Sequence, residues 1–293
     1  MTTAGTTIQL PDGRALGYAT YGAPDGAPLL ALHGTPGCSV AMQFLHGPAE
    51  RLGLRVIAPD RPGYGASTRH KGHRVVDGAA DIIGLIDALA LERPAVFGWS
   101  GGGPHALGLA ARAPERLGRV AVAGCVAPPD SSNWLTGFAR TDRQLFRLGR
   151  RARPILRLAF ANARWWLHSA PRFATKTFLR SLMRSDREVV EQIPRLGAPN
   201  YLRAAFEPTS AGVYDDYLAL ERPWGFELAD ITMPITLWQG TDDPLVAPWM
   251  ATAIADQLDD ATIIECEGAG HLFVATHATE ILRALTDAPA HDG

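Results

Sequence analysis

Two short runs, residues 28–32 and 54–58, are compact and apolar without polar alternation, and a helix-length segment separates them. A strand with one face in water alternates, whereas a strand covered on both faces does not. The pattern therefore calls for a parallel sheet with helices on either side. Residues 75–91 continue the rhythm. Val75, Val76, Ala79, Ile82, Ile83, Ile86 and Leu89 fall at three- and four-residue steps, which predicts an amphipathic crossover helix. Strands are expected at 95–97 and 119–125, with a helix at 104–113 between them. Ahead of these, 6–10 and 14–21 flank the turn Pro11-Asp12-Gly13 and read as an antiparallel hairpin.

After Pro128-Pro129 the alternation stops, and Arg- and Trp-rich helical segments take over at 140–164 and 175–193. It resumes with a strand at 235–239, a helix near 249–258, a strand at 262–266 and a last helix at 278–285. The expected organisation is an α/β core of residues 1–128 and 228–293 carrying a helical cap inserted at 129–227. No internal repeat or low-complexity tract interrupts it.

Composition limits the function classes. With 46% hydrophobic and 20% charged residues among 293, the chain can bury a large core and is not disordered. A formal net charge of -2 gives no global electrostatic reason to expect nucleic acid or an anionic membrane as partner. The opening MTTAGTTIQL lacks a basic leader, and no apolar run approaches the ~20 residues that span a bilayer, so a cytoplasmic location and a small-molecule partner are expected. Cys38, Cys125 and Cys266 are odd in number and widely spaced, with no CxxC pair, which counts against a disulfide framework or a zinc site. Charge is unevenly placed. Residues 131–226 hold 15 Arg and one Lys against eight acids, a net +8, and the rest of the chain carries -10. A basic cap over an acidic body suits either anionic substrates or simple charge complementarity between the two parts.

The most informative segment is Gly98-Trp99-Ser100-Gly101-Gly102, directly after one expected strand and before a helix that starts near Pro104. A serine among small residues at such a turn can adopt the strained backbone that projects its hydroxyl from the sheet edge. The helix N-terminus beside it favours a developing anion. A serine hydroxyl needs a base, and the base needs a carboxylate to orient it. Both are available in loops after later strands: Gly240-Thr241-Asp242-Asp243-Pro244-Leu245-Val246, and Gly268-Ala269-Gly270-His271. All three loops leave the same edge of a parallel sheet, where sites of open α/β folds assemble. A tetrahedral oxyanion needs two preplaced N–H donors. Gly101 supplies one, and Thr35 in the turn His33-Gly34-Thr35-Pro36-Gly37 supplies the other. His33 reads as a loop brace, His105 as a first-turn helix residue, and Cys38 as a small buried filler.

These residues resemble the α/β-hydrolase fold superfamily, in its capped, serine-nucleophile branch. The resemblance rests on HGTPG at 33–37, DRPGYGAS at 60–67, GWSGG at 98–102, GTDDPLV at 240–246 and GAGH at 268–271, in the order Ser, Asp, His. It implies an eight-stranded, mostly parallel sheet with a helical cap after the sixth strand and a nucleophilic mechanism that uses no cofactor and no metal. It assigns Ser100, Asp243 and His271 as the triad, with Asp242 adjacent to the acid and Asp130 as a rival for its role. It also makes Asp60 a brace and gives Gly63 and Gly65 unusual backbone angles. A serine in the elbow argues against epoxide-hydrolase and haloalkane-dehalogenase chemistry, which use an aspartate there.

Hydrolysis of a carboxylic ester or lactone of a small hydrophobic substrate ranks first. A proline-iminopeptidase-like aminopeptidase, a cofactor-free perhydrolase and a C–C bond hydrolase remain open on the same triad. The aminopeptidase branch would show HGGPG and GGSWG where this chain has Thr35, and Trp99 with Gly101, and it would need cap carboxylates, for which Glu207 and Glu221 are nominal candidates. A non-catalytic small-molecule binding protein is the reading from another class. Trp134, Phe138, Trp165, Trp166, Phe206, Tyr214, Tyr217 and Trp224 offer apolar surface for a pocket in the cap, although aromatics on helices more often belong to a core.

Overall fold

The N-terminal hairpin pairs β1 (Thr6–Gln9) with β2 (Ala15–Gly22) antiparallel, and β2 in turn lies antiparallel to β4 (Leu54–Pro59). The remaining strands are β3 (Ala27–Leu32), β5 (Ala95–Trp99), β6 (Val120–Ala123), β7 (Ile235–Gly240) and β8 (Ala261–Cys266), and all their pairings are parallel. The single sheet has eight strands in the order β1-β2-β4-β3-β5-β6-β7-β8. This computed structural model describes residues 5–129, 133–174, 177, 184–192, 198–207 and 209–286.

Both faces of the central strands are buried, which explains the missing polar alternation. Leu30, Leu32, Val96, Val120 and Val122 point into one apolar cluster, and Leu29, Ala31, Phe97, Trp99, Ala121 and Ala123 point into the other. Each large aliphatic side chain removed from water in this way contributes roughly 1.5–3 kcal/mol. Short helix α1 (His46–Arg51), the crossover helix α2 (Asp77–Ala88) and helix α3 (Gly103–Arg112) cover the first half of the sheet.

Between β6 and β7 the described residues form helices α4 (Arg140–Arg151), α5 (Arg153–Ser169), α6 (Arg184–Gln192), α7 (Ala198–Ala205) and α8 (Ala211–Leu220). The helical stretch expected over 140–164 is two helices. The break falls at Ala152 (φ -150°, ψ 60°), two residues before Pro154 in the first turn of α5, where proline can neither donate its N–H nor continue an existing helix. Of the helix expected over 175–193, only Thr177 and α6 fall within the described residues. After β7 come α9 (Trp249–Ala255), α10 (Phe273–Thr276) and α11 (Ala278–Thr286). Among the described residues no helix is long and apolar enough to cross a membrane.

Candidate active site

Ser100 follows the last residue of β5 and opens the turn into α3. Its φ is +54°, in the left-handed region that non-glycine residues seldom occupy, so the turn holds it strained with its side chain at the C-terminal edge of the sheet. Gly101 is required by close approach. A β-carbon there would lie 2.7 Å from Thr35 Cβ and 3.2 Å from Thr35 N, so the two expected oxyanion donors stand side by side.

Asp243 lies past the end of β7. Its Oδ1 accepts from the N–H groups of Leu245 (2.8 Å) and Val246 (2.9 Å), which leaves Oδ2 for His271 Nδ1 at 2.7 Å. Asp242 makes no such contact; its N–H donates to Ala269 O. Asp130, the rival acid, lies outside the described residues. Gly124, at the end of β6 with φ +52°, backs the pair: a β-carbon there would stand 3.1 Å from His271 Cε1 and 3.3 Å from Asp243 Oδ2. The indole of Trp99, the chain neighbour of Ser100, lies 5.7 Å from the imidazole between ring centroids. A bond from Ser100 Oγ to the imidazole is not among those made within 3.5 Å. Nucleophile–base contacts are often long without substrate and tighten around it. Ser100, Asp243 and His271 are all buried.

Burial works to lower the His271 pKa, but Asp243, by charge and hydrogen bond, together with Asp186 and Asp142, outweighs it and leaves the imidazole more basic than usual. Asp186 and Asp142 escaped the sequence analysis. Asp186, on α6, accepts the Leu272 N–H at 2.8 Å and so grips the loop carrying His271. Asp142, on α4, accepts the Tyr217 hydroxyl at 2.5 Å. Burial raises the pKa of both acids, opposed by these hydrogen bonds and by His271. The nominal amine binders lie elsewhere: Glu207 pairs with His168 and Arg203 at the surface, and Glu221 sits against Gly149.

A second buried network lies beneath the turn at 33–37. Asp216, on α8 and fully buried, accepts from Arg61 Nη2 (2.7 Å) and Nε (3.2 Å), Thr35 Oγ1 (2.5 Å) and Tyr64 OH (3.0 Å). Burial would raise its pKa, yet the Arg61 guanidinium holds it well below the carboxylate range. Arg61 also donates to the carbonyls of His33 and Gly34. His33 is the expected brace: its Nδ1 lies 2.9 Å from Gly34 O, and its Nε2 accepts the Arg61 N–H at 3.2 Å. His105, on α3, is buried 3.7 Å from Asp216, and desolvation pushes its pKa down to about 4. Asp60 braces its loop as expected, accepting from Ser39 N at 2.7 Å, and Gly63 and Gly65 have φ of +84° and +47°. Cys38 is buried, and burial pushes its thiol up to about 12, which makes it a filler and not a nucleophile.

The cap aromatics divide. Trp134, Phe138, Phe146, Phe160, Phe206 and Tyr217 pack together inside, with ring centroids 4.7–6.3 Å apart, whereas Trp165 and Trp166 face solvent. Among the described residues no cluster of His, Cys, Asp and Glu is placed to hold a metal ion.

The sequence matches the family described as alpha/beta hydrolase fold over residues 27–278. It is 28% identical to the non-heme chloroperoxidase of Streptomyces lividans over 280 residues, 92% of this chain and 94% of that protein. The hydrolase YcgS of Bacillus subtilis (strain 168) is 30% identical over 125 residues, 43% of this chain, and the match spans only 42% of YcgS. In fold, the chain superposes on an esterase of Exiguobacterium antarcticum with a TM-score of 0.69 at 20% identity, covering 96% of this chain and 97% of that one.

Proposed function

Because the chain belongs to the α/β-hydrolase fold family, we propose that it is a serine hydrolase, needing no cofactor, that cleaves a carboxylic ester or lactone of a small hydrophobic substrate through an acyl-enzyme. The observation that carries this is the strained Ser100, whose chain neighbour Trp99 lies 5.7 Å from the imidazole of the buried His271–Asp243 pair. His271 Nε2 takes the Ser100 proton as Oγ attacks the acyl carbon, and the carbonyl electrons move onto oxygen. The N–H groups of Gly101 and Thr35 hold that oxyanion. Collapse breaks the bond to the leaving alkoxide, which takes the proton from the imidazolium. Water then gives a proton to His271, attacks the acyl carbon, and a second collapse returns Ser100 and releases the acid. His271 Nδ1–H donates to Asp243, which fixes the tautomer that leaves Nε2 unprotonated and holds the ring in place at both steps.

A fluorophosphonate probe and a series of p-nitrophenyl esters from short to long acyl test this. Wild type should label stoichiometrically and hydrolyse the esters, and Ser100→Ala should do neither. No labelling of wild type favours a binding protein. Asp142 and Asp186 beside His271 also favour a second reading, hydrolysis of a substrate bearing an amine. Faster turnover of aminoacyl arylamides than of every ester would select it.

A further inference from the structure

Among the described residues, the large hydrophobic side chains most open to solvent are Ile155, Leu158, Trp165, Trp166 and Phe173, and all five lie on α5 or the turn after it. At 3.6 residues per turn, the four on α5 fall within an arc of about 100°. The other side of the same helix buries Leu156 and Phe160, and Phe160 packs on Phe206 and Tyr217 at 6.3 and 5.0 Å. The helix thus has two apolar faces, one seated on the protein and one open. Trp165 meets Trp166 edge-on at 4.9 Å, and Trp166 lies 5.4 Å from Phe173, so the open face ends in a cluster of exposed rings. A monomeric surface rarely carries such a patch without a partner.

Charge around the patch has one sign. From 140 to 174 the chain has nine arginines and a single acid, Asp142, which is turned inward onto Tyr217. Arg143 and Arg164 are spent on backbone carbonyls and Arg150 lies over Trp134, whereas Arg151, Arg153, Arg157 and Arg172 are exposed. Two acids interact with basic groups of this stretch: Glu207 is held by His168 and Arg203, and Glu221 feels the charges of Arg150 and Arg153. The overall charge of -2 conceals this concentration.

We propose that the outer face of α5 and the turn to Phe173 is a docking surface for an anionic lipid bilayer, the indoles and Phe173 entering the interfacial zone and the arginines pairing with headgroups. Exposed Trp, Phe and Leu flanked by Arg is the pattern of interfacial helices, which lie in the bilayer surface without spanning it. A second copy of the chain is the poorer occupant, because a two-fold contact through this face would set the arginines against one another.

Sedimentation of the full chain with vesicles of phosphatidylcholine, with or without phosphatidylglycerol, tests this, with tryptophan emission recorded in parallel. Binding should need phosphatidylglycerol, weaken steeply with salt, and shift emission to the blue. Trp165→Ser/Trp166→Ser should lose at least tenfold in binding and most of the blue shift. Arg153→Gln/Arg157→Gln should lose roughly fivefold per charge. Both variants should keep their circular dichroism and their rate on a short soluble ester, which separates docking from folding and from the Ser100 chemistry. No binding to anionic vesicles at low salt, equal binding of wild type and variants, or a dimer that the tryptophan variant dissociates would overturn the proposal.

Discussion

Replacing Asp216 by asparagine should destabilise the protein more than any exposed charge substitution. The carboxylate accepts from four donors, three of them Arg61 Nη2, Arg61 Nε and Tyr64 OH, and neither it nor Arg61 is appreciably exposed. The amide can accept on one oxygen only and turns its own N–H groups toward the guanidinium, leaving a buried cation without compensation. Breaking a buried pair from one side costs about 3–5 kcal/mol, which in a chain of this size lowers Tm on the order of 10 °C. The sign with pH follows from the lowered carboxylate pKa. Its stabilisation is present above the unfolded value of about 3.9 and is lost as pH falls through the folded one. The gap between wild type and variant should therefore stay constant near neutrality and narrow in acid. Urea unfolding across pH measures it. Asp216→Leu/Arg61→Met, which removes both charges, should recover part of the loss. Thr35→Val, which removes the hydroxyl that donates to Asp216 and accepts from Arg61 Nη2, should lower kcat and cost about 1–3 kcal/mol of stability. An Asp216→Asn protein within about 1 kcal/mol of wild type, the worth of a surface pair, would refute the reasoning.

The raised His271 pKa places the acid limb of kcat/KM above the ordinary histidine value of about 6.5, since only the neutral imidazole can take the serine proton; a midpoint at or below that value contradicts it. Asp186→Asn removes a carboxylate near His271 yet keeps an acceptor for Leu272 N–H, so the limb should move to lower pH with kcat at its plateau nearly kept. Asp186→Ala strands that N–H at a cost of about 1–3 kcal/mol and should lower the plateau as well; identical profiles for the two variants would contradict the assignment. Gly124→Ala sets a methyl against the imidazole from a left-handed backbone, which costs about 1–2 kcal/mol and should reduce kcat far more than it changes KM.

The eight strands and the loops bearing Ser100, Asp243 and His271 were legible in the sequence because each depends on local terms: runs of apolar residues, glycines at turns, and the order of elements along the chain. Hairpin, crossover helix and strand positions agree with the pattern to within a few residues. The break at Ala152 was equally local, since Pro154 announces it, but the segment was read as one Arg- and Trp-rich helical stretch.

Asp216, Asp186 and Asp142 were not legible. Asp216 meets Thr35 across 181 positions and Asp186 meets Leu272 across 86, and on their own helices they look like any polar residue of a solvated face. Likewise, nothing in the spacing of the cap aromatics says that Trp134 turns inward and Trp165 outward. The sequence by itself determined the sheet, the strained serine and the order of the three loops, because backbone conformation and burial of a strand are set within a few residues. Only the tertiary structure decided which acids surround His271, what pins the turn at 33–37, and which aromatic rings remain in water, because those outcomes depend on how distant helices pack over the sheet edge.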